Sequence, residues 1–174
     1  MSLIDNIPVE LKKLNQWVCY KNEIKDGTDK VNKVPYNNQN ISKADITQSD
    51  NYDRFESVKF TMEAFNIYDG IGFVFTNNDP YCGIDLDNCI DNSIQSDNIF
   101  DKIDPWAKDI IIEMDSYTEV SPSGSGVHII IKGDLPSWSK KRLIKTLNFM
   151  MIIGFLRLLE IIFMELKLPI GKTY

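Results

Sequence analysis

The sequence predicts a domain of the α+β class, in which helices pack on a mixed or antiparallel sheet. Apolar residues recur at helical spacing in three segments, and short runs that are either wholly apolar or alternately apolar and polar lie between them. These short runs, whether wholly apolar or alternating, are typical of β-strands. Because a helix followed by two strands occurs three times, we expect one sheet with the helices packed against it.

The first two helices and three of the strands lie in residues 8–75. Pro8 stands in the first turn of a short helix in the run VELKKL, where its missing N–H is not needed. A longer amphipathic helix is predicted from Phe55 to about Tyr68, because apolar residues recur there on one face. Strands are predicted at 16–21, in the run KVPY that ends at Tyr36, and at 71–75.

The remaining elements lie in residues 81–132. The run YCGIDLD at 81–87 alternates apolar and polar residues, as a half-buried strand does. A further helix is marked by the apolar residues Ile99, Ile103, Trp106 and Ile110. Two strands follow, YTEV at 117–120 and VHIIIK at 127–132, and the tight loop SPSGSG joins them.

The composition is that of an ordinary globular domain. With 174 residues, 43% apolar and 25% charged, the chain can bury a sizeable core, which excludes a disordered tail, a collagen and a small disulfide scaffold. Its three cysteines form no Cys-x-x-Cys pair, which favours a reducing cytosolic compartment and argues against a zinc ribbon. His128 is the only histidine, so a metal site built from several histidines is excluded.

Other features bear on where the protein acts and what it binds. The amino terminus lacks the basic region and apolar stretch of a secretory signal, so we expect a cytoplasmic protein that does not enter a membrane. The net charge of −6 argues against non-specific coating of nucleic acid. No Gly-x-x-x-x-Gly-Lys run is present, which excludes a P-loop enzyme.

Two carboxylates, Asp85 and Asp87, lie two residues apart in the predicted strand GIDLD. Alternation along a strand places both side chains on one face, while Ile84 and Leu86 point into the core. Unpaired carboxylates at this spacing repel each other, and a divalent cation between them, Mg²⁺ or Mn²⁺, would remove the repulsion. The alternative is a solvated strand end in an acidic region.

The loop SPSGSG, at 121–126, leads directly into the strand that carries His128. A serine- and glycine-rich loop of this kind can hold phosphate oxygens with its backbone N–H groups. His128 lies between two apolar residues and faces away from them, towards the surface of the aspartates if the two strands are adjacent. It is either a ligand or phosphate contact, or a core histidine bonded to a carbonyl. Together with the aspartates, the loop and the histidine are the parts of a metal-assisted phosphoryl-transfer site.

Five ordered segments carry a resemblance to a known family: LNQWVCYK, KVPY, YDGIGFVF, GIDLDNCID and YTEVSPSGSGVHIIIKG. They resemble the primase-polymerase domain, the amino-terminal bifunctional DNA primase/polymerase domain of phage, prophage and plasmid replication proteins. This domain belongs to the archaeo-eukaryotic primase superfamily, and the resemblance covers about residues 6–137. It implies a catalytic core with a sheet like that of an RNA-recognition motif, and template-directed nucleotidyl transfer with two metal ions.

The resemblance assigns roles to the three strongest candidates. Asp85 and Asp87 match the first family motif, which supplies metal-binding acids for Mg²⁺ or Mn²⁺. His128 matches the second motif, whose histidine contacts the phosphates of the incoming nucleotide. The implied partners are a single-stranded DNA template, nucleoside triphosphates and a replicative helicase supplied by another protein.

Four further residues are assigned more weakly. Ser123 and Ser125 are expected to line the phosphate-binding loop. Lys132 and Lys33 are candidates for contacts with the triphosphate or the template. For each lysine, the alternative is a solvated side chain.

The C-terminal segment departs from the family. A third motif is expected after the histidine strand, an acid followed by a tract like Tyr-x-x-x-Arg-Phe-Phe-Thr-x-Thr-Gly, but residues 149–163 are almost wholly apolar. A shifted reading frame joins the last base of each codon to the first two bases of the next. In this frame, codons that are permitted for residues 149–159 can encode Tyr-Asp-Asp-Asn-Arg-Phe-Phe-Thr-Val-Thr-Gly. We therefore predict a domain at 1–148, and we hypothesise that a frameshift near residues 142–145 left the catalytic core incomplete at its C-terminus. The C-terminal segment affected is 149–174, and the alternative is that its apolar run 149–163 is a buried or partner-binding helix.

Three functions remain open at this point. The first is a primase-polymerase catalytic domain acting in phage or plasmid DNA replication. The second is a catalytically inactive remnant that still binds nucleotide, metal or DNA. The third is a metal-dependent nuclease or phosphohydrolase, because the same residue types serve hydrolysis.

Overall fold

The chain forms helices and antiparallel sheets, which confirms the predicted α+β class. A computed structural model describes residues 6–29, 31–76 and 78–133, together with the backbone of 161–164. These residues fall into two compact units, one formed by the described residues up to Val74 with 161–164, the other by those from Phe75 to Gly133. The described strands form two sheets, one in each unit, where the sequence predicts a single sheet.

The first unit is a four-stranded antiparallel sheet with two helices. Its elements are α1 (Val9–Lys12), β1 (Trp17–Ile24), β2 (Val31–Tyr36), a 3₁₀ turn (Ser49–Asn51), α2 (Phe55–Ala64), β3 (Gly70–Val74) and β7 (Ile161–Met164). The strand order is β2-β1-β3-β7, and each neighbouring pair is antiparallel. The amphipathic helix that the sequence predicts to about Tyr68 ends at Ala64.

Trp17 is the centre of the core in the first unit. Its ring packs edge-on against Phe55 and Phe73, with centroid distances of 5.0 and 5.1 Å. Its indole N–H donates to Leu11 O at 3.1 Å, which fastens α1 to the sheet. The indole is therefore both buried and hydrogen-bonded, as a core tryptophan needs to be.

The second unit is a three-stranded antiparallel sheet with two helices. Its elements are β4 (Tyr81–Leu86), α3 (Ile99–Lys102), α4 (Pro105–Met114), β5 (Tyr117–Val120) and β6 (Val127–Lys132), and the strand order is β4-β6-β5. The bounds of β5 and β6 are those that the sequence predicts. The helix predicted across residues 99–110 is wrong as one element, because Pro105 begins a new helix and Asp104 before it is extended.

The two faces of the second sheet differ in character. One face packs against α3 and α4 through a cluster of buried apolar residues. This cluster includes Ile84, Leu86, Ile103, Ala107, Ile110, Val120, Val127 and Ile129. Since successive side chains on a strand point to opposite faces, the other face carries Asp85, Glu119 and His128. The helices thus occupy one face of the sheet, and the candidate site lies on the other.

Most of the C-terminal predictions lie outside the described residues. The domain boundary at 148, the frameshift near residues 142–145 and the tract at 149–159 all fall within residues 134–160. Ile161–Met164 forms β7, which pairs with β3 in antiparallel register. None of the helices in the part of the chain that the structure describes has the length and apolar character needed to span a membrane.

Candidate active site

Asp85, His128 and Glu119 lie side by side across the sheet of the second unit. Asp85 on β4 is the register partner of His128 on β6, and His128 is in turn the partner of Glu119 on β5. Directly opposed residues of antiparallel strands project from the same face, with Cβ atoms roughly 5 Å apart. Because β4 and β6 are adjacent, three titratable side chains form one row.

The imidazole of His128 lies between the two carboxylates of this row. Its Nδ1 is 3.3 Å from Glu119 Oε1, and its Nε2 is 3.7 Å from Asp85 Oδ1. The side chains of Glu119 and His128 are 6% and 11% exposed, whereas that of Asp85 is 53% exposed. The row therefore runs from a buried carboxylate, through the imidazole, to a carboxylate that a ligand can reach from solvent.

Glu119 is a member of the site that sequence pattern alone does not single out. Its Oε2 accepts a hydrogen bond of 2.8 Å from the Tyr117 hydroxyl. Burial raises the pKa of Tyr117, and the charge of Glu119 and this hydrogen bond raise it further, so the hydroxyl stays a donor. The sequence signal that could have found Glu119 is the short loop: two strands joined by it pair as a hairpin, and this register sets Glu119 opposite His128.

Asp87 lies in a turn just beyond the end of β4. The strand ends at Leu86, and Asn88 has a left-handed backbone conformation with a φ of 52°. Asparagine adopts this conformation more readily than most residues. The predicted strand is therefore one residue too long, and alternation along it accounts for the direction of Asp85 but not for that of Asp87. Both aspartates are exposed.

The loop at 121–126 is held by hydrogen bonds among its own groups. The N–H groups of Ser121 and Gly124 donate to Gly126 O and Ser121 O, each at 2.8 Å. Those of Ser125 and Gly126 donate to the hydroxyls of Ser123 and Ser121. The hydroxyls of Ser123 and Ser125 lie 2.8 Å apart in the exposed part of the loop. In this conformation four backbone N–H groups donate within the loop itself, and the predicted contacts of Ser123 and Ser125 with a phosphate stay predictions.

Contacts with the segment after β4 bring this loop beside Asp87. The Ile90 N–H donates to Ser125 O at 3.0 Å. Gly126 packs so closely on the end of β4 that a Cβ there would lie 2.5 Å from Leu86 O and 3.3 Å from the Asp87 Cα. The aspartate segment and the serine-rich loop therefore share one edge of the second unit.

Replacing Gly126 with alanine is expected to displace the loop. Because the new Cβ would meet backbone at 2.5 Å, the loop must shift, which we expect to lower the free energy of unfolding by about 1–3 kcal/mol. Gly133→Ala is the matched control, since a Cβ at Gly133 meets nothing within 4 Å, and its effect should stay within about 0.5 kcal/mol. Urea denaturation measures both, and equal effects of the two substitutions would contradict the packing described above.

Comparisons with known proteins bear on the identity of the chain and not on the geometry of the site. No family model matches the chain. The chain is 34% identical over 132 residues to the protein named DNA primase-polymerase of Nitratiruptor phage NrS-1. The chain is therefore related to a phage DNA primase-polymerase. The match covers 76% of this chain and 17% of the relative, so the chain spans about a sixth of the length of that protein.

The residues of this site fit a divalent cation that is shared with a substrate. Among the described residues, no three His, Cys, Asp or Glu side chains are grouped to hold a metal ion by themselves. Mg²⁺ in nucleotide enzymes, however, is usually bound through one or two carboxylates together with substrate phosphates and water. Asp85 and Asp87 supply two exposed carboxylates beside a loop with exposed hydroxyls, which is the donor set that such an arrangement needs.

The two candidate lysines are not members of this row. Lys132 is on the same face of β6 as His128, roughly 13 Å further along the strand, and its Nζ lies 5.6 Å from the centre of the Tyr81 ring. Lys33 belongs to β2 in the first unit, where its Nζ lies 5.9 Å from the centre of the Tyr20 ring. Their proposed contacts with the triphosphate or the template stay predictions.

Cys89 lies near the aspartates but is unsuited to nucleophilic chemistry. Burial raises the pKa of its thiol to about 11, and its Sγ is 3.2 Å from Leu86 O. Because the thiolate is the reactive form of cysteine, a thiol that stays protonated at neutral pH is inert. The chemistry of this region therefore rests on oxygen and imidazole groups.

Proposed function

We propose that this domain catalyses template-directed nucleotidyl transfer in phage DNA replication, acting as a DNA primase-polymerase. The observation that carries the proposal is the approach of His128 Nε2 to Asp85 Oδ1, at 3.7 Å, on the face of the sheet opposite the helices. The relationship to a phage DNA primase-polymerase supports the reaction class. Single-stranded DNA and nucleoside triphosphates are then the substrates.

Each group of the site has a place in this reaction. Asp85 and Asp87 hold the divalent cations, and when bound these cations stabilise the charge that develops on the attacking and leaving oxygens. His128 binds a phosphate oxygen of the incoming nucleotide through Nε2, and the hydroxyls of Ser123 and Ser125 bind a neighbouring phosphate oxygen. The protein thus positions the triphosphate, as phosphoryl-transfer enzymes in general do.

Primer synthesis and extension test the proposed reaction directly. The chain is incubated with single-stranded DNA, nucleoside triphosphates and either Mg²⁺ or Mn²⁺, with and without a primer, and the products are separated by size. We expect products whose sequence is dictated by the template and whose formation stops when the cation is chelated. Release of mononucleotides from DNA without added triphosphates would instead identify a nuclease.

The remnant hypothesis gives a different result in the same experiment. A domain that only binds would show cation-dependent affinity for a nucleoside triphosphate and no incorporation. Measuring nucleotide affinity beside incorporation therefore separates a polymerase from a binding module. The helicase partner implied by the resemblance is a further proposal, and copurification with a phage helicase would test it.

A further inference from the structure

Both carboxylate oxygens of Glu119 lie close to polar groups of the second unit. Oε1 lies 3.3 Å from His128 Nδ1, and Oε2 accepts from the Tyr117 hydroxyl at 2.8 Å. With 6% of its side chain exposed, Glu119 has little access to water and depends on these partners. A buried carboxylate without donors would be strongly unfavourable, so the two contacts are a requirement of its position.

We infer that Glu119 is the positioning residue for His128, and that Tyr117 in turn positions Glu119. The Tyr117 O–H occupies Oε2, so the other carboxylate oxygen is the acceptor for a proton on His128 Nδ1. The ring is thereby held in one of its two flipped orientations, with Nε2 directed towards Asp85 and the exposed side of the sheet. This inference rests on the proposed function for its consequence, the binding of a phosphate oxygen by Nε2, which can donate to that oxygen only in the doubly protonated ring.

The inference does not depend on the charge of the imidazole. In the neutral tautomer with a proton on Nδ1, and in the doubly protonated ring, Nδ1 is a donor in both cases. Among the residues that the structure describes, the titratable groups in contact with the ring are Glu119 and Asp85, and Tyr117 contacts Glu119 from the same strand. A carboxylate that receives one ring N–H and so directs the other ring nitrogen is a general device for fixing a histidine.

The backbone explains why these residues can act together. Glu119 and His128 are opposed in the β5–β6 register, and Tyr117 lies two residues before Glu119, on the same face. The Tyr117–Glu119–His128 chain thus lies on rigid strands and not on the loop. Groups on strands are held more accurately than groups on loops, which suits a positioning role.

Nuclear magnetic resonance of the ring nitrogens tests the inference without any substrate. Because His128 is the only histidine, ¹⁵N-histidine labelling gives a single set of ring signals. We expect the shift of Nδ1 to be that of a nitrogen that carries a proton, with slow exchange of this proton with water. An Nδ1 without a proton in the unsubstituted protein would overturn the inference.

Substitutions then test whether Glu119 is responsible. Glu119→Leu removes the acceptor at similar volume, and we expect faster exchange of the Nδ1 proton and a loss of nucleotide affinity of roughly 10-fold. Glu119→Gln keeps an acceptor oxygen and should restore most of both properties, whereas Glu113→Gln, on the exposed side of α4, should change neither. Unchanged Nδ1 exchange in Glu119→Leu would show that the carboxylate does not hold the ring.

A further substitution, Tyr117→Phe, covers the case in which Glu119→Leu does not fold. Tyr117→Phe keeps the ring of Tyr117 and removes only the O–H bonded to Oε2. Because Glu119 contacts both Tyr117 and His128, we expect the Nδ1 signal to change. An identical Nδ1 signal in Tyr117→Phe would contradict the proposed chain of contacts.

The two readouts separate this inference from the proposed function. The state of the Nδ1 proton reports only on Glu119 and His128, whereas nucleotide affinity and incorporation report on the reaction. A protonated Nδ1 that responds to Glu119→Leu, in a protein that binds no nucleotide, would support the positioning and contradict the proposed function. Nucleotide binding by a protein whose Nδ1 lacks a proton would support the proposed function and contradict the positioning.

Discussion

Asp85→Asn is expected to reduce nucleotide incorporation on the order of 100-fold or more. A bound metal ion supplies several kcal/mol of charge stabilisation in the transition state, and each 1.4 kcal/mol corresponds to about tenfold in rate. Asparagine keeps the shape of the side chain at this exposed position but removes the charge that holds the cation. Asp87→Asn should also reduce nucleotide incorporation. The measurement is incorporation of labelled nucleotide into primed single-stranded DNA, beside the cation-dependent affinity for a nucleoside triphosphate.

Asp97→Asn is the matched control for this prediction. Asp97 is also exposed and also belongs to the second unit, but it lies in the segment between β4 and α3. The substitution makes the same change in net charge, and we expect incorporation to stay within about twofold of the unsubstituted protein because exposed sites away from special features tolerate change. Equal losses in Asp85→Asn and Asp97→Asn would mean that overall charge, and not the site, governs the reaction.

The direction of Asp85 illustrates what the sequence can predict. Alternation of apolar and polar residues determines which face each strand buries, because a strand has a period of two. This pattern gives β5 and β6 their observed bounds and sends Asp85 and His128 away from the apolar cluster. It needs no knowledge of distant contacts.

The end of β4 shows where such a pattern fails. The alternation of GIDLD continues through Asp87, but the strand stops at Leu86, where the chain turns through Asn88. The turn is secured by Gly126 and by the loop that contains it, more than thirty residues further along the chain. A local pattern cannot report a boundary that is set by a distant segment.

Pro105 and Glu119 are two further cases. Helical spacing continues across residues 99–110, yet proline requires a non-helical residue before it and splits the segment into two helices. Glu119 is an unremarkable strand residue until the β5–β6 register places it opposite His128. Its role follows from burial and from the two donors around it, which are properties of the folded chain.

His128→Ala is expected to weaken nucleotide binding by roughly 10- to 100-fold and also to destabilise the protein. A hydrogen bond to a charged group contributes about 1.5–3 kcal/mol, which corresponds to that range of affinity. The same substitution removes one donor from the buried Glu119 carboxylate, so we expect the free energy of unfolding to fall by about 1–3 kcal/mol. Isothermal titration with a nucleoside triphosphate and Mn²⁺ measures the first effect, and urea denaturation measures the second.

Two amide substitutions separate these effects. The amide nitrogen of asparagine lies close to the position of Nδ1, so His128→Asn can still donate to Glu119 and should recover most of the lost stability while nucleotide affinity stays low. The longer side chain of glutamine reaches the position of Nε2, so His128→Gln should keep more of the nucleotide affinity and less of the stability. If both substitutions lower the two quantities in parallel, the ring nitrogens do not have separate roles, and the loss of affinity reflects only a disturbed fold.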